Sequence, residues 1–170
     1  AKVIGTARYV DDLPRRSGEL HGATVRAPIA RGRIRSIQLD PSFDWSDVTV
    51  VQAADVPTNV VAVIALDQPI LASTVVNHAY EPVVLLACED RAKLARAKLA
   101  VHLDIEPLPP VLDIQAALAD APVVWSAPEG FGDPGTNVMK RYLITKGEAD
   151  VDAELAKCAH VLSGTYSTHH

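Results

Sequence analysis

Pro82-Val83-Val84-Leu85-Leu86-Ala87-Cys88 is an unbroken apolar run, closed by Glu89-Asp90. Seven residues without a charge suit a strand covered on both faces better than one half in water. Asp90 then stands where a helix N-cap belongs, because its short carboxylate can accept from the free amides of a first turn. In the following Arg91-Ala92-Lys93-Leu94-Ala95-Arg96-Ala97-Lys98-Leu99-Ala100-Val101, the apolar Leu94, Ala97 and Val101 fall at i, i+3 and i+7, with Ala95 and Leu99 beside them. The spacing predicts a helix over 91–101. Arg91, Lys93, Arg96 and Lys98 fill the remaining positions and read as a solvated face rather than an anion site. A strand over about 101–106 follows. Pro107, Pro109 and Pro110 end it, since proline lacks the amide donor and fixes φ.

Outward from this strand-helix-strand unit the pattern is less regular. Residues 20–27 alternate well enough for a strand, and 33–39 alternate cleanly, with Pro28 and Gly32 marking the turn between them. Short β-branched runs lie at 48–53 and 60–66. Asp113 caps a short helix through about Leu118. Residues 120–137 are rich in Pro, Gly, Asp and Asn and read as a loop. Residues 138–145 read as a strand. Asp150 opens a second helix with Val151, Leu155 and Cys158 on one face, and a last strand runs from about 160 to 168. Hairpin-like pairs mixed with β-α-β pieces predict an α+β fold, a mixed β-sheet with a few packed helices. The expected division is a domain over 1–119, a loop over 120–137, and a strand-helix-strand segment over 138–170.

The chain has 170 residues, 48% of them hydrophobic but only 5% aromatic, so its core is expected from Val, Leu, Ile and Ala. The net charge of −5 gives neither the basic face that nucleic acid needs nor a polybasic patch for a membrane surface. No apolar run approaches the roughly 20 residues of a transmembrane helix. Cys88 and Cys158 are far apart and outside any C-x-x-C pair, so both are expected to be small buried hydrophobes in a reducing compartment, the cytoplasm. The chain begins at Ala1 and stops at His170 straight after a strand-like run, which reads as part of a longer protein.

Motifs for chemistry are sparse. Gly130-Phe131-Gly132-Asp133-Pro134-Gly135 satisfies G-x-G-x-x-G by letter. Dinucleotide binding needs a strand directly before those glycines and a helix directly after. Here Pro128 and Glu129 intervene, Pro134 removes an amide, and the sequence that follows is β-branched. A loop explains it better. His21, His78, His102 and His160 are scattered singly, without a second ligand at metal spacing. Asp11-Asp12 and Glu89-Asp90 are adjacent carboxylates that point to opposite sides of an extended chain, so turns and caps suit them better than acid/base work. No residue is assigned a catalytic, cofactor-binding or metal-binding role.

Three stretches carry a resemblance. Gly5-Thr6-Ala7-Arg8-Tyr9-Val10-Asp11-Asp12-Leu13-Pro14, continued by Gly18-Glu19-Leu20-His21-Gly22, resembles the opening of the molybdenum-binding large subunit of the xanthine dehydrogenase/aldehyde oxidase (molybdenum hydroxylase) family. Glu81-Pro82-Val83-Val84, the helix after it, and Ile105-Glu106-Pro107-Leu108-Pro109 are similar to that family's G-Q-P-V-A strand, alanine-rich helix and Y-E-x-L-P strand. Lys146-Gly147-Glu148 and Gly164-Thr165-Tyr166 resemble its K-G-D-V segment and V-x-G-x-Y strand. Two departures stand out. Ala27-Pro28-Ile29-Ala30-Arg31-Gly32-Arg33-Ile34 replaces S-P-x-A-H-A-x-I, and Tyr80-Glu81 replaces Gly-Gln.

The resemblance implies the N-terminal α/β hammerhead domain of such a subunit, non-catalytic in itself. His169 and His170 then fit the native approach to the family's Q-E-H-like segment. The parent enzyme is expected to oxidise an aromatic heterocycle or aldehyde with water-derived oxygen. Molybdopterin is expected beyond this stretch, and 2Fe-2S clusters and FAD on other domains or subunits, which are the expected partners. A non-enzymatic binding or assembly module with the same fold is the alternative.

Overall fold

The computed structural model describes residues 2–62, 66–119, 121–125, 132–147 and 150–168, apart from the side chain of Asp11. Eight strands are present among them: β1 His21–Arg26, β2 Gly32–Leu39, β3 Thr49–Val51, β4 Val61–Ala62, β5 Leu66–Gln68, β6 Val75–Val76, β7 Pro82–Cys88 and β8 Val101–Pro107. The α-helices are α1 Arg91–Leu99, α2 Ile114–Leu118 and α3 Val151–Leu155. One sheet has the order β1-β7-β3, a second β6-β2-β8, and β4-β5 forms a hairpin. Every pairing is antiparallel. This is the expected α+β class, with one feature that periodicity could not show: α1 connects β7 to β8 across two different sheets.

Both sheets contribute to one core. Val83, Val84, Leu86 and Cys88 of β7 meet Leu94 and Ala97 of α1, Val76 of β6 and Val101 of β8. Phe43 and Trp45 pack edge to face at 4.9 Å against its margin, and Trp45 Nε1 donates to the Asp40 carbonyl at 2.8 Å. The aliphatic composition of this core follows from the scarcity of aromatics. Strand β7 is covered along most of its length. Val83, Val84, Leu86 and Cys88 are buried and Ala87 half-buried, whereas Leu85 is 40% exposed, so the expected cover on both faces is open at Leu85. Cys158 is exposed, so its assignment to a buried face is also corrected; Cys88 is buried.

Helix α1 forms as its sequence dictates. Asp90 Oδ1 accepts from the amides of Ala92 at 2.7 Å and Lys93 at 3.1 Å. These hydrogen bonds hold the Asp90 carboxyl below the ordinary carboxylate range. Asp113 and Asp150 cap α2 and α3 in the same way. Leu99 is exposed, outside the apolar face expected of it.

Contacts divide the chain into Ala1–Lys140 and Arg141–His170. In the first unit, Arg31 donates to the carbonyls of Pro109 at 3.0 Å and Val123 at 3.2 Å, tying the segment after β8 to the β1–β2 turn. In the second, α3 is the one regular element among the described residues. Residues 138–145 and 160–168, expected as strands, form no ladder here. An alternating segment becomes a strand only when a neighbour takes up its amides and carbonyls.

Tyr80 has φ +65°, a left-handed conformation. A side chain there costs about 1–2 kcal/mol. Its backbone is fully used: the amide donates to the Ala27 carbonyl and the carbonyl accepts from Arg26 Nη1, both at 2.9 Å. The side chain itself is exposed. Tyr80→Gly therefore keeps the hydrogen bonds and removes the strain. After the extra chain entropy of glycine is subtracted, it is expected to stabilise the domain by up to about 1 kcal/mol. A rise in the urea midpoint at unchanged slope checks this; a fall contradicts it.

Candidate functional site

The basic positions of α1 do not share one fate. Lys93 turns away from water: its side chain is 15% exposed, and its ammonium contacts Asp44 Oδ2 at 2.8 Å and the carbonyl and hydroxyl of Ser46. This clamp pins the β2–β3 connection onto α1 and corrects the reading of Lys93 as solvated. Asp44 also accepts from the Ser46 amide and hydroxyl. The Lys93 hydrogen bond, followed by those from Ser46, holds the Asp44 carboxyl far below the usual carboxylate range, and Asp44 in turn raises Lys93.

A carboxyl with a depressed folded pKa stabilises fully above its unfolded value, and the contribution disappears as pH falls toward the folded value. Asp44→Asn is thus expected to melt below the native chain at neutral pH. The gap should close steadily as pH drops below about 4, the ordinary aspartate range. Thermal melts of both chains from neutral to acid pH read this directly, and a constant gap would refute the clamp.

Arg91 and Lys98, by contrast, line a cleft of about 770 Å³. Its inner wall is Leu94 and Ala95 of α1 with His21, Gly22 and Ala23 of β1. Its outer wall is the N-terminal segment, through Val10, Leu13, Arg15 and Glu19. That segment is shaped locally. Asp12 Oδ2 accepts from the Tyr9 amide at 2.9 Å in a 3-10 turn over Val10–Asp12. Arg16 and Glu19 close a second turn in which Glu19 accepts the Arg16 amide at 3.0 Å and Gly18 sits at φ +77°. Asp12 and Asp90 thus act as turn and cap residues.

Of the scattered histidines, His21 is half-buried in the cleft wall, while His78, His102 and His160 are exposed on separate elements. Among the described residues no three of His, Cys, Asp and Glu converge where a metal ion could be held. Gly130 and Phe131 lie outside the described residues. The rest of the glycine loop is a folded turn: the Asp133 amide donates to the Val138 carbonyl at 3.1 Å and the Thr136 amide to the Asp133 carbonyl at 3.2 Å. No helix follows it. Those amides face the protein rather than an outside phosphate, which removes the dinucleotide reading its physical basis.

The whole cleft falls within residues 4–109, which match the family model described as aldehyde oxidase and xanthine dehydrogenase, a/b hammerhead domain. The chain belongs to that family. It is 30% identical over 174 residues to the nicotine 6-hydroxylase large subunit of Paenarthrobacter nicotinovorans, which covers 96% of this chain and 20% of the relative. It is 33% identical over 160 residues to the carbon monoxide dehydrogenase large chain of Hydrogenophaga pseudoflava, covering 87% and 19%. Among solved structures, the aldehyde oxidoreductase of Desulfovibrio gigas aligns with a TM-score of 0.75 at 27% identity, over 93% of this chain and 18% of that one. The chain thus spans about a fifth of the length of these two curated relatives.

Membership gives the departures a physical meaning. Tyr80, which stands where the resemblance leads one to expect glycine, holds a left-handed φ that glycine adopts without strain. The Glu81 side chain, in place of glutamine, is buried and accepts the Asn77 amide. Arg31, in place of histidine, reaches across to two carbonyls that a shorter imidazole is less able to span. The cleft, which lies outside both substitutions, was not singled out from sequence. Its walls come from three elements far apart in the chain, and only the spacing of Arg91 and Lys98 on one helix face hinted at it.

Proposed function

We propose that this chain is the non-catalytic N-terminal hammerhead domain of a molybdenum-binding large subunit. Its task is architectural, covering the molybdenum-binding part and packing against the neighbouring electron-transfer domain or subunit. The observation that carries this reading is the match of nearly the whole chain to about a fifth of a hydroxylase large subunit. The parent oxidises an aromatic heterocycle or an aldehyde, taking the incorporated oxygen from water. Molybdopterin supplies the redox chemistry in that parent, with 2Fe-2S clusters and FAD on other domains or subunits. In this reading no step is assigned to any side chain of this domain.

Residues 138–170 form the passage into the molybdenum-binding domain in this reading, and the alternating segments 138–145 and 160–168 find their strand partners there. We place the protein in the cytoplasm, where free Cys88 and Cys158 remain reduced. Among the described residues no helix is long and apolar enough to cross a membrane.

The test is expression of the full gene. The purified product is expected to contain molybdenum and pterin and to transfer isotopic oxygen from labelled water into product, while residues 1–170 alone turn over nothing. A full-length product without molybdenum or oxidase activity overturns the reading in favour of a binding or assembly module.

A further inference from the structure

We infer that the cleft between the N-terminal segment, β1 and α1 is the docking groove for an acidic polypeptide segment of a neighbouring domain or subunit, an inference that rests on the architectural role proposed above. Buried Leu94 lines the cleft beside the apolar Val10, at 82% exposure, and Leu13, at 56%. The rim carries Arg15, Arg91 and Lys98, all exposed. Against them stands one lining acid, Glu19, whose carboxylate already accepts the Arg16 amide. A chain of net charge −5 therefore turns a locally cationic groove outward. Charge complementarity of this kind selects carboxylates and fixes their register.

Spacing decides what carries those carboxylates. Arg91 and Lys98 are seven residues apart on one helix face, a rise of about 10 Å. A polyproline-II segment, with three residues per turn and ~3.1 Å per residue, covers that distance with acids three residues apart on one side. An apolar residue between the acids then lands on Val10 and Leu13, which a free anion leaves exposed to water. The relatives supply ample chain for such a segment, since about four fifths of their length lies outside the part this chain matches.

The test is carbodiimide cross-linking of the full-length assembly, which joins the Lys98 amine to a touching carboxylate, followed by mass spectrometry of the Lys98 peptide. The expected product is Lys98 linked to an Asp or Glu of another domain or subunit, with the link absent when the reaction is run at high salt. The double variant Arg91→Glu, Lys98→Glu should weaken the association at least about tenfold. The melting of the isolated chain should be unchanged, and Arg96→Glu, outside the cleft, should have no effect on association.

The groove is overturned if Lys98 is as open to acylation in the assembly as in the isolated chain. It is also overturned if inorganic phosphate alone shields Lys98, or if the link joins two copies of this chain. Molybdenum and pterin are measured on the same preparation. Cofactor present with Lys98 open overturns the groove alone; cofactor absent overturns the role proposed for the domain.

Discussion

Gly32→Val is expected to destabilise the domain by about 3 kcal/mol or more, the upper end for overpacking a close-packed site. Gly32 opens β2 between two partners, opposite Val76 of β6 and Pro107 of β8. A Cβ built there meets Ile105 Cγ2 at 2.5 Å, Ile29 Cδ1 at 2.6 Å and the Glu106 carbonyl oxygen at 2.8 Å. The two isoleucine methyls can rotate away. The carbonyl belongs to the paired strand and moves only if the β2–β8 ladder opens. Valine adds two further methyl groups to the same space. Urea denaturation should show the loss, and hydrogen exchange should show it concentrated at the start of the β2–β8 ladder. A variant that unfolds with the native chain would mean that β2 and β8 do not approach as described.

Leu86→Ala is expected to cost a similar amount by the opposite route. Leu86 is fully buried on the central strand β7, between Ala23 of β1 and Val50 of β3. Removing three buried carbons loses their transfer energy and leaves a cavity, together about 3–5 kcal/mol. For a domain of this size each kcal/mol lowers the melting temperature by roughly 2–4 °C. The neighbouring Leu85→Ala is the internal comparison. Leu85 lies on the other face and is 40% exposed, so its truncation should cost far less. Equal losses at the two positions would contradict the unequal burial of Leu86 and Leu85.

The strand-helix-strand unit over 82–107 was legible because each of its signals is local. A continuous apolar run, a capping aspartate and a three-to-four residue repeat need no knowledge of the rest of the chain. β1 and β2 were legible for the same reason, and their bounds agree within a residue or two. Partner choice was not local. Nothing in the alternation of β8 says that it pairs with β2 in a separate sheet rather than returning beside β7. Lys93 looked solvated because its neighbours on the helix are charged, yet its partner Asp44 lies 49 residues away. The segments 138–145 and 160–168 alternate like strands but are in no strand among the described residues, and periodicity alone cannot tell a laddered segment from one without a ladder. Family resemblance reached further than physics here: the order of three weak motifs pointed to the hammerhead domain that residues 4–109 match.

The split of β7 and β8 between two sheets also governs how the domain is made. Strand β1 pairs with β7 and β2 with β8, each across roughly sixty to seventy intervening positions. Both ladders close large loops, and topologies dominated by such distant pairings fold slowly. The β1-β7-β3 sheet can be completed once residue 88 has left the ribosome, whereas the β6-β2-β8 sheet waits for residue 107. Strand β1 lacks β7 until residue 88 emerges and β2 lacks β8 until residue 107, while α1, held by its own Asp90 cap, lies between the two closures. The first sheet can therefore assemble before the helix is made, and the helix before the second sheet.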